Sequence, residues 1–365
     1  MKVSILHYSN SIIDLNKPFG MQIMELNEVR ELRKNKIEAT LFAKDVIGEH
    51  PHINKVPYSE YDKTLFDLPF YTRFIDANKD ADIIQGNATP LLAVFNPNKT
   101  ILRFDGPVDL QLVENTSIRE AYQNTNFIFV SKYLKTYYLN RYPFIPENNC
   151  HVLYNAVDQF GTPLKPANKK LKMLFCSRWI YDKGISVLIE ALKILEKNRN
   201  DYEVTVAGGI HRTKNDSADN AAEKKIKEKL KLLKNVNIVG YVPHSKLMTL
   251  LLETDILLFP SLWDEPFGLL PAEAAMASTP TIAFSVGALP EVVIHNETGV
   301  LIKKSKYDFI NARRLSNEIY KCLDNPMFIR ELGNNARTRC VNEFNWHIYM
   351  QTLLKIYKNI TDNNE

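Results

Sequence analysis

The sequence predicts an α/β protein built from two doubly wound units with parallel sheets. Short apolar runs alternate with longer amphipathic stretches, which is the pattern of strand, crossover helix and parallel strand. The alternation stops around 158–170, where the chain is polar, contains two prolines and has no periodicity. The length of 365 residues also fits two domains, at roughly 100–200 residues for each.

The first unit is predicted from six apolar runs of strand length. They lie at 2–7, 38–43, 82–86, 100–104, 127–130 and 150–153. A helix over 132–141 separates two of them, and the helix that follows the first strand is predicted over 21–34. That earlier helix rests on residues at helical spacing, namely Ile23, Leu26, Val29, Arg30 and Leu32.

The second unit begins after the polar segment, where the alternation restarts. Strands are predicted at 172–176, 202–207, 236–239, 256–259 and 281–283. Helices are predicted at 184–197, 219–233, 245–253 and 269–277. The final helices, from about 311 to 360, could pack on either unit. We therefore expect domains over 1–160 and 161–342, with a last helix over 343–365 that packs back on the N-terminal domain.

Composition and charge exclude several classes of protein. With 45% hydrophobic and 24% charged residues the chain is typical of soluble globular proteins. The 46 Lys and Arg nearly balance the 42 Asp and Glu, so no electrostatic footprint of a nucleic-acid binder is expected. The four cysteines form no CxxC pair, the first apolar stretch is too short for a signal peptide, and no run is long enough to span a membrane. We expect a cytoplasmic protein.

The most informative segment runs from Phe259 to Ala277. A strand is predicted to end at Phe259 and a helix to begin near Gly268, with Glu265 in the loop and Glu273 inside the helix. Free backbone N–H groups at a helix amino end favour an anion, so two carboxylates flank a site suited to phosphate. The alternative is that Glu273 only complements the helix dipole and that Glu265 is solvated.

A cationic pair stands at the end of the first strand of the same unit. Arg178 and Lys183 are five residues apart at a strand-to-helix turn, where they could clamp a diphosphate. By itself such a pair is more often a solvated turn. Its coincidence with the segment of Glu265 and Glu273 favours the binding interpretation.

Together these segments resemble the retaining glycosyltransferases of family 4 (glycosyl transferases group 1). The resemblance covers most of the chain and is densest over 171–302. It implies the GT-B architecture, in which two Rossmann-like domains face each other across a cleft and a sugar is transferred from a nucleotide diphosphate sugar. Besides the pair of glutamates, the matching segments are Asn155-Ala-Val-Asp158, Arg178 with Lys183-Gly184, Ala207-Gly-Gly209, Val239-Gly-Tyr-Val-Pro243, Pro280-Thr-Ile-Ala283, Gly287-Ala-Leu-Pro-Glu291 and Thr298-Gly-Val-Leu-Ile302.

The resemblance implies a role for each matching position. Arg178 and Lys183 would hold the donor diphosphate. Glu273 would accept hydrogen bonds from the ribose, and Glu265, as a catalytic residue, would contact the transferred sugar. The base would lie against the backbone of Tyr241 and Val242, and the diphosphate would also meet the amides of Phe267, Gly268, Leu269 and Leu270.

Two matches in the N-terminal half depart from the family pattern. The segment Lys17-Pro-Phe-Gly20-Met stands where the family has a glycine-rich loop, but it has one glycine where two are usual. Gly20 would bring its backbone near the donor phosphates, or it belongs to an ordinary helix-start turn. Asp105 stands where the family has a histidine near the transferred sugar. It could bind a hydroxyl or receive a proton as a catalytic residue, or it could cap the next turn.

The implied function is metal-independent retaining transfer to a hydroxyl of a glycan, lipopolysaccharide or other glycoconjugate. No metal site is expected, because Asp80 and Asp82 precede their strand and the histidines lack ligand spacing. A UDP-sugar is the favoured donor and GDP-mannose the next. The open alternatives are a silent sugar-nucleotide or glycan-binding subunit and a GT-B epimerase or phosphorylase. Basic stretches at 224–234 and 303–306 could touch a membrane surface or form solvated faces.

Overall fold

The computed structural model describes residues 1–8, 12–16, 18–56, 68–161, 170–210 and 217–362. These residues form two compact units. Unit 1 comprises 1–156 and 346–365, and unit 2 comprises 157–345. Most of the polar segment predicted as a linker, 162–169, lies outside the described residues.

Unit 1 is built on a parallel sheet. Within its described residues, helices α1 (Gly20–Lys34), α2 (Leu68–Ala77), α3 (Thr116–Gln123) and α4 (Lys132–Arg141) connect the strands. The sheet has the order β5-β3-β1-β6-β7-β8-β9, and β2 pairs with β4 beside it. The strands are β1 (Lys2–Leu6), β2 (Ile12–Asp14), β3 (Glu38–Ala43), β4 (Asp45–Ile47), β5 (Ile53–Lys55), β6 (Ile83–Asn87), β7 (Thr100–Phe104), β8 (Asn126–Phe129) and β9 (Cys150–Val152).

Unit 2 is built on a second parallel sheet, with the order β12-β11-β10-β13-β14-β15. Its strands are β10 (Leu171–Arg178), β11 (Tyr202–Gly209), β12 (Val236–Gly240), β13 (Ile256–Phe259), β14 (Thr281–Phe284) and β15 (Gly299–Ile302). Central strands such as β13 are apolar throughout because both faces of the sheet are covered. The described helices are α5 (Ile185–Leu195), α6 (Ser217–Lys231), α7 (His244–Leu252), α8 (Leu269–Met276), α9 (Leu289–Val292), α10 (Asp308–Asp324) and α11 (Pro326–Glu343).

The last helix, α12 (Trp346–Asp362), belongs to unit 1. It contacts α1, and the Tyr357 hydroxyl donates a hydrogen bond to Gln85 at the end of the sheet. The predicted fold class, two α/β units with parallel sheets, is confirmed.

Two details of the sequence analysis of unit 1 are wrong. The short strands β2, β4 and β5 were not predicted, because each has three residues of which one is charged, so none forms an apolar run. The buried face of α1 includes Glu25 and Glu28, whereas Arg30 is exposed. Apolar periodicity cannot reveal these glutamates, because a pattern of apolar residues counts every charged residue as exposed. They are buried because polar side chains inside unit 1 form hydrogen bonds with their carboxylates.

Candidate active site

The loop after β10 is held against the end of β13. Gly184 follows the 3₁₀ turn Tyr181–Lys183 with φ +73°, and a Cβ there would lie 1.8 Å from the backbone oxygen of Pro260. The position therefore requires glycine. The Asp182 carbonyl accepts a hydrogen bond from Leu262 N at 2.8 Å. This backbone contact fixes Lys183 beside the loop that carries Glu265.

Lys183, Ser261 and Glu265 form one cluster. The ammonium of Lys183 lies 2.6 Å from Glu265 Oε1, and the Ser261 hydroxyl donates to the same oxygen at 2.6 Å. The Glu265 residue is only 7% exposed, so the pair is shielded from water. The family resemblance assigns Lys183 and Glu265 to separate parts of the donor, whereas their side chains are in direct contact in the structure.

The amino end of α8 lies directly after this cluster in the chain. Gly268 precedes the helix with φ +105°, and the first helical hydrogen bond runs from Ala272 N to Gly268 O. The amides of Leu269 and Leu270 thus have no acceptor within the helix. Phe267 is buried, and its ring packs edge-on against Phe344 at 5.6 Å, which anchors the turn. The helix begins where the sequence predicted.

Glu273 has a partner that the sequence analysis missed. His244 Nε2 lies 2.6 Å from Glu273 Oε1, and the side chains are 32% and 9% exposed. The hydrogen bond to Glu273 raises the pKa of His244, although partial burial opposes the shift. The sequence feature that could have pointed to His244 is its position, because it is the first residue of α7 and directly follows the Tyr241-Val-Pro segment.

The other predicted donor residues of unit 2 lie near these two pairs along the chain. Arg178 ends β10, is exposed, and makes no ion pair within the described part of the chain. Tyr241 is half-exposed after β12, and Val242 packs against the core of the unit.

The two predicted residues of unit 1 are placed by different elements. Gly20 is the first residue of α1, after Phe19 as N-cap, and Lys17 of the same segment lies outside the described residues. Asp105 follows β7, and both of its carboxylate oxygens accept hydrogen bonds from Arg103 at 3.2 Å. Within the described ranges, this carboxylate accepts hydrogen bonds from the guanidinium and from no amide of the next turn, so Asp105 does not cap that turn.

Arg103 belongs to a buried polar network at the carboxyl end of the unit 1 sheet, which the sequence analysis also missed. Its guanidinium contacts Glu28 at 2.7 Å, Asn155 at 2.7 Å and the hydroxyl of Tyr349 on α12. Burial alone lowers the pKa of Arg103, but the nearby carboxylates of Asp105 and Glu28 outweigh it and hold that pKa well above its usual value. Further members joined by hydrogen bonds are His7, Glu25, Gln85, Asn87 and Tyr357.

No cluster of metal-ligating side chains occurs among the described residues. Asp80 instead pairs with Lys2, and Asp82 accepts a hydrogen bond from the Lys2 backbone. In the same residues, no helix combines the length and apolarity needed to cross a membrane.

Known proteins resemble this chain in sequence and in fold. The family model described as "Glycosyl transferases group 1" matches residues 158–339. A glycogen synthase of Mycobacterium tuberculosis is 29% identical over 209 residues, 56% of this chain and 47% of the synthase. The chain thus spans about half the length of this curated relative.

Two solved structures are similar over nearly the whole chain. Sucrose-phosphate synthase from Thermosynechococcus elongatus has a TM-score of 0.78 at 20% identity, with 99% of both chains covered. The Anabaena protein HepE in complex with UDP and glucose has a TM-score of 0.73 at 16% identity, with 100% of this chain and 99% of that chain covered. At these identities the likeness concerns the fold alone.

Proposed function

This chain belongs to the glycosyl transferases group 1 family, and we propose that it is a glycosyltransferase that moves a sugar from a nucleotide diphosphate sugar with retention of configuration. The donor is a UDP-sugar, and the acceptor is a hydroxyl of a glycan, a lipid-linked oligosaccharide or another glycoconjugate. Transfer needs no metal ion.

The observation that carries this proposal is the contact of Lys183 with Glu265 directly before the amino end of α8. A diphosphate leaving group develops negative charge as its bond to the sugar breaks. The Lys183 ammonium, the Arg178 guanidinium and the amides of 267–270 would neutralise that charge. Fixed donors of this kind in a shielded site are usually the largest contribution to catalysis.

The carboxylates serve the uncharged parts of the donor. Glu265 is held through Oε1, and within the described part of the chain its Oε2 makes no hydrogen bond, so Oε2 can accept from sugar hydroxyls. Glu273 accepts from the ribose, and the backbone of Tyr241 and Val242 holds the base. Each carboxylate is buried and already oriented, which reduces the entropy lost on binding.

We propose a front-face reaction. The bond between the anomeric carbon and the phosphate oxygen breaks, and the acceptor oxygen forms a bond to that carbon on the same face. The acceptor proton goes to the departing phosphate oxygen, so no side chain becomes a covalent nucleophile. We assign acceptor or sugar hydroxyl binding to Asp105, whose carboxylate Arg103 orients.

The choice of UDP draws support from HepE, which has been crystallised with UDP and with UDP-glucose. The test is to incubate the protein with UDP-, GDP- and ADP-sugars in EDTA and to measure the release of each nucleoside diphosphate. We expect UDP release unaffected by EDTA and lowered at least roughly tenfold by Lys183→Ala or Glu273→Ala.

Lys193→Ala is the matched control, because Lys193 forms an exposed ion pair with Glu190 at 2.8 Å on α5. Exposed pairs contribute little, so this variant should keep the wild-type rate. Activity that EDTA abolishes and Mg²⁺ restores would contradict metal independence, and release of GDP alone would move the donor to a GDP-sugar.

A further inference from the structure

His244 joins two parts of the proposed donor site. It follows directly on Tyr241-Val-Pro, the segment assigned to the base, and its Nε2 lies 2.6 Å from Oε1 of Glu273, the carboxylate assigned to the ribose. The second oxygen of Glu273, Oε2, makes no hydrogen bond within the described residues. The histidine thus fixes one oxygen of the carboxylate and leaves the other for a ligand.

The charged groups around His244 favour its protonated form. Glu273 contributes most, and Asp158 adds a second negative charge. The thiols nearest Glu273 are neutral, because burial raises the pKa values of Cys176 and Cys340 to about 12. The amino end of α7, where His244 lies, opposes a cation, and the direct bond to Glu273 outweighs it.

We propose that His244 is a positioning residue of the donor site, which aims Glu273 Oε2 at the ribose hydroxyls and makes nucleotide affinity depend on the charge of its imidazole. This inference rests on the proposed function, since it takes Glu273 as the ribose-binding residue. A neutral imidazole can still donate from Nε2 in one tautomer, so loss of the proton removes the charge without breaking the bond.

The sign of the pH dependence follows from the charges. A nucleoside diphosphate is an anion, so it binds more tightly when the imidazole is positive. The hydrogen bond to Glu273 raises the pKa of His244, which extends the cationic form toward neutral pH. Affinity should therefore be highest below that pKa and should fall as the pH rises through it.

The experiment is calorimetric titration of the full chain with UDP between about pH 6 and about pH 8.5. The variants are His244→Gln, which keeps a hydrogen-bond donor but cannot titrate, and His244→Ala. The control is His347→Gln, because His347 is exposed on α12 and its ring contacts Gln351. The terminal phosphate of UDP also titrates near pH 6, equally for all proteins, so the difference between wild type and His244→Gln is the quantity of interest.

We expect the dissociation constant of the wild type to rise by roughly three- to tenfold more than that of His244→Gln across this range. His347→Gln should follow the wild type, and His244→Ala should bind weakly at every pH because Glu273 loses its partner. Equal pH dependence in wild type and His244→Gln overturns the inference and leaves the proposed function intact. Absence of nucleotide binding by the wild type at every pH, with GDP and ADP also tested, overturns both.

Discussion

At the scale of single residues, Glu265 is held from two directions. Lys183 and Ser261 bind its side chain, and its backbone oxygen accepts a hydrogen bond from Ala288 N at 2.8 Å. Gly287 makes this backbone contact possible. With φ +54° it has left-handed backbone, and a Cβ there would lie 2.3 Å from Glu265 O and 2.5 Å from Glu265 N.

Gly287→Ala should therefore destabilise the protein by about 3 kcal/mol. Two costs add: the alanine would have a strained left-handed backbone, and the backbone atoms of Glu265 would have to move away from its Cβ. Gly240→Ala is the control. Gly240 also has positive φ, +69°, but open space surrounds its missing side chain, so only the backbone strain of about 1 kcal/mol should appear. Denaturant unfolding of both variants measures the difference. If both variants lost the same unfolding free energy, the loop of Glu265 would accommodate the added methyl group without an energetic cost.

The candidate residues show what sequence can predict at this scale. Glu265, Glu273 and Lys183 could be named as candidates because each occupies a fixed place relative to a strand end or a helix start. Their mutual contacts were not found, because Lys183 and Glu265 are 82 residues apart in sequence and His244 and Glu273 are 29 apart. Only the parallel order of the strands brings such residues to the same edge of a sheet.

At the scale of elements, α12 supplies a structural part of unit 1. Tyr349 donates its hydroxyl hydrogen bond to Glu28, and Arg103 donates to the same hydroxyl. Burial raises the pKa of Glu28, and the bonds from Arg103 and Tyr349 partly offset that shift. The helix thus supplies a hydrogen bond that favours the ionised form of a carboxyl group inside unit 1.

Tyr349→Phe should cost about 1–3 kcal/mol of unfolding free energy, since it removes a hydrogen bond to the buried carboxyl group of Glu28. The matched control is Tyr357→Phe on the same helix, whose hydroxyl binds the neutral Gln85 at 2.9 Å and should contribute about 1 kcal/mol. Both changes keep the ring, so packing is preserved.

The pH dependence distinguishes these two variants. Glu28 has a raised pKa in the folded state, so its contribution to stability is present at low pH and is lost as the pH rises through that pKa. Tyr349→Phe raises this pKa further, so the unfolding free energy that this variant loses relative to the wild type should grow with rising pH. The deficit of Tyr357→Phe should be constant. Chemical denaturation at several pH values measures both, and a flat deficit for Tyr349→Phe would show that Glu28 stays protonated in the wild type.

The elements themselves were predictable where burial is complete. Strands such as β13 and β14 are buried along their whole length because helices cover both faces of the sheet, and their bounds agree with prediction within one residue. The buried face of α1 was not predictable, because Glu25 and Glu28 read as surface residues until their partners on other elements are known. Polar burial is a tertiary property, whereas periodicity is a local one.

At the scale of the whole molecule, the proposed donor contacts are unequally divided. Arg178, Lys183, Glu265 and Glu273 all belong to unit 2, and of the proposed donor-binding positions only Gly20 belongs to unit 1. A ligand lowers the exchange of amide hydrogens most in the segments that it contacts or stabilises.

We therefore expect saturating UDP to slow hydrogen exchange in unit 2 at 178–184, 241–244 and 265–273, and to leave α3 and α4 of unit 1 unchanged. The turn of Gly20 at the start of α1 is the informative segment, because the resemblance predicts that its backbone meets the donor phosphates and the helix-start alternative predicts no effect. Protection at 19–23 with UDP, absent with uridine, would assign it to the diphosphate. Uridine is the right comparison because it differs from UDP only in the phosphates. If UDP does not change exchange at 19–23, the helix-start alternative holds for Gly20 and the proposed donor contacts all belong to unit 2.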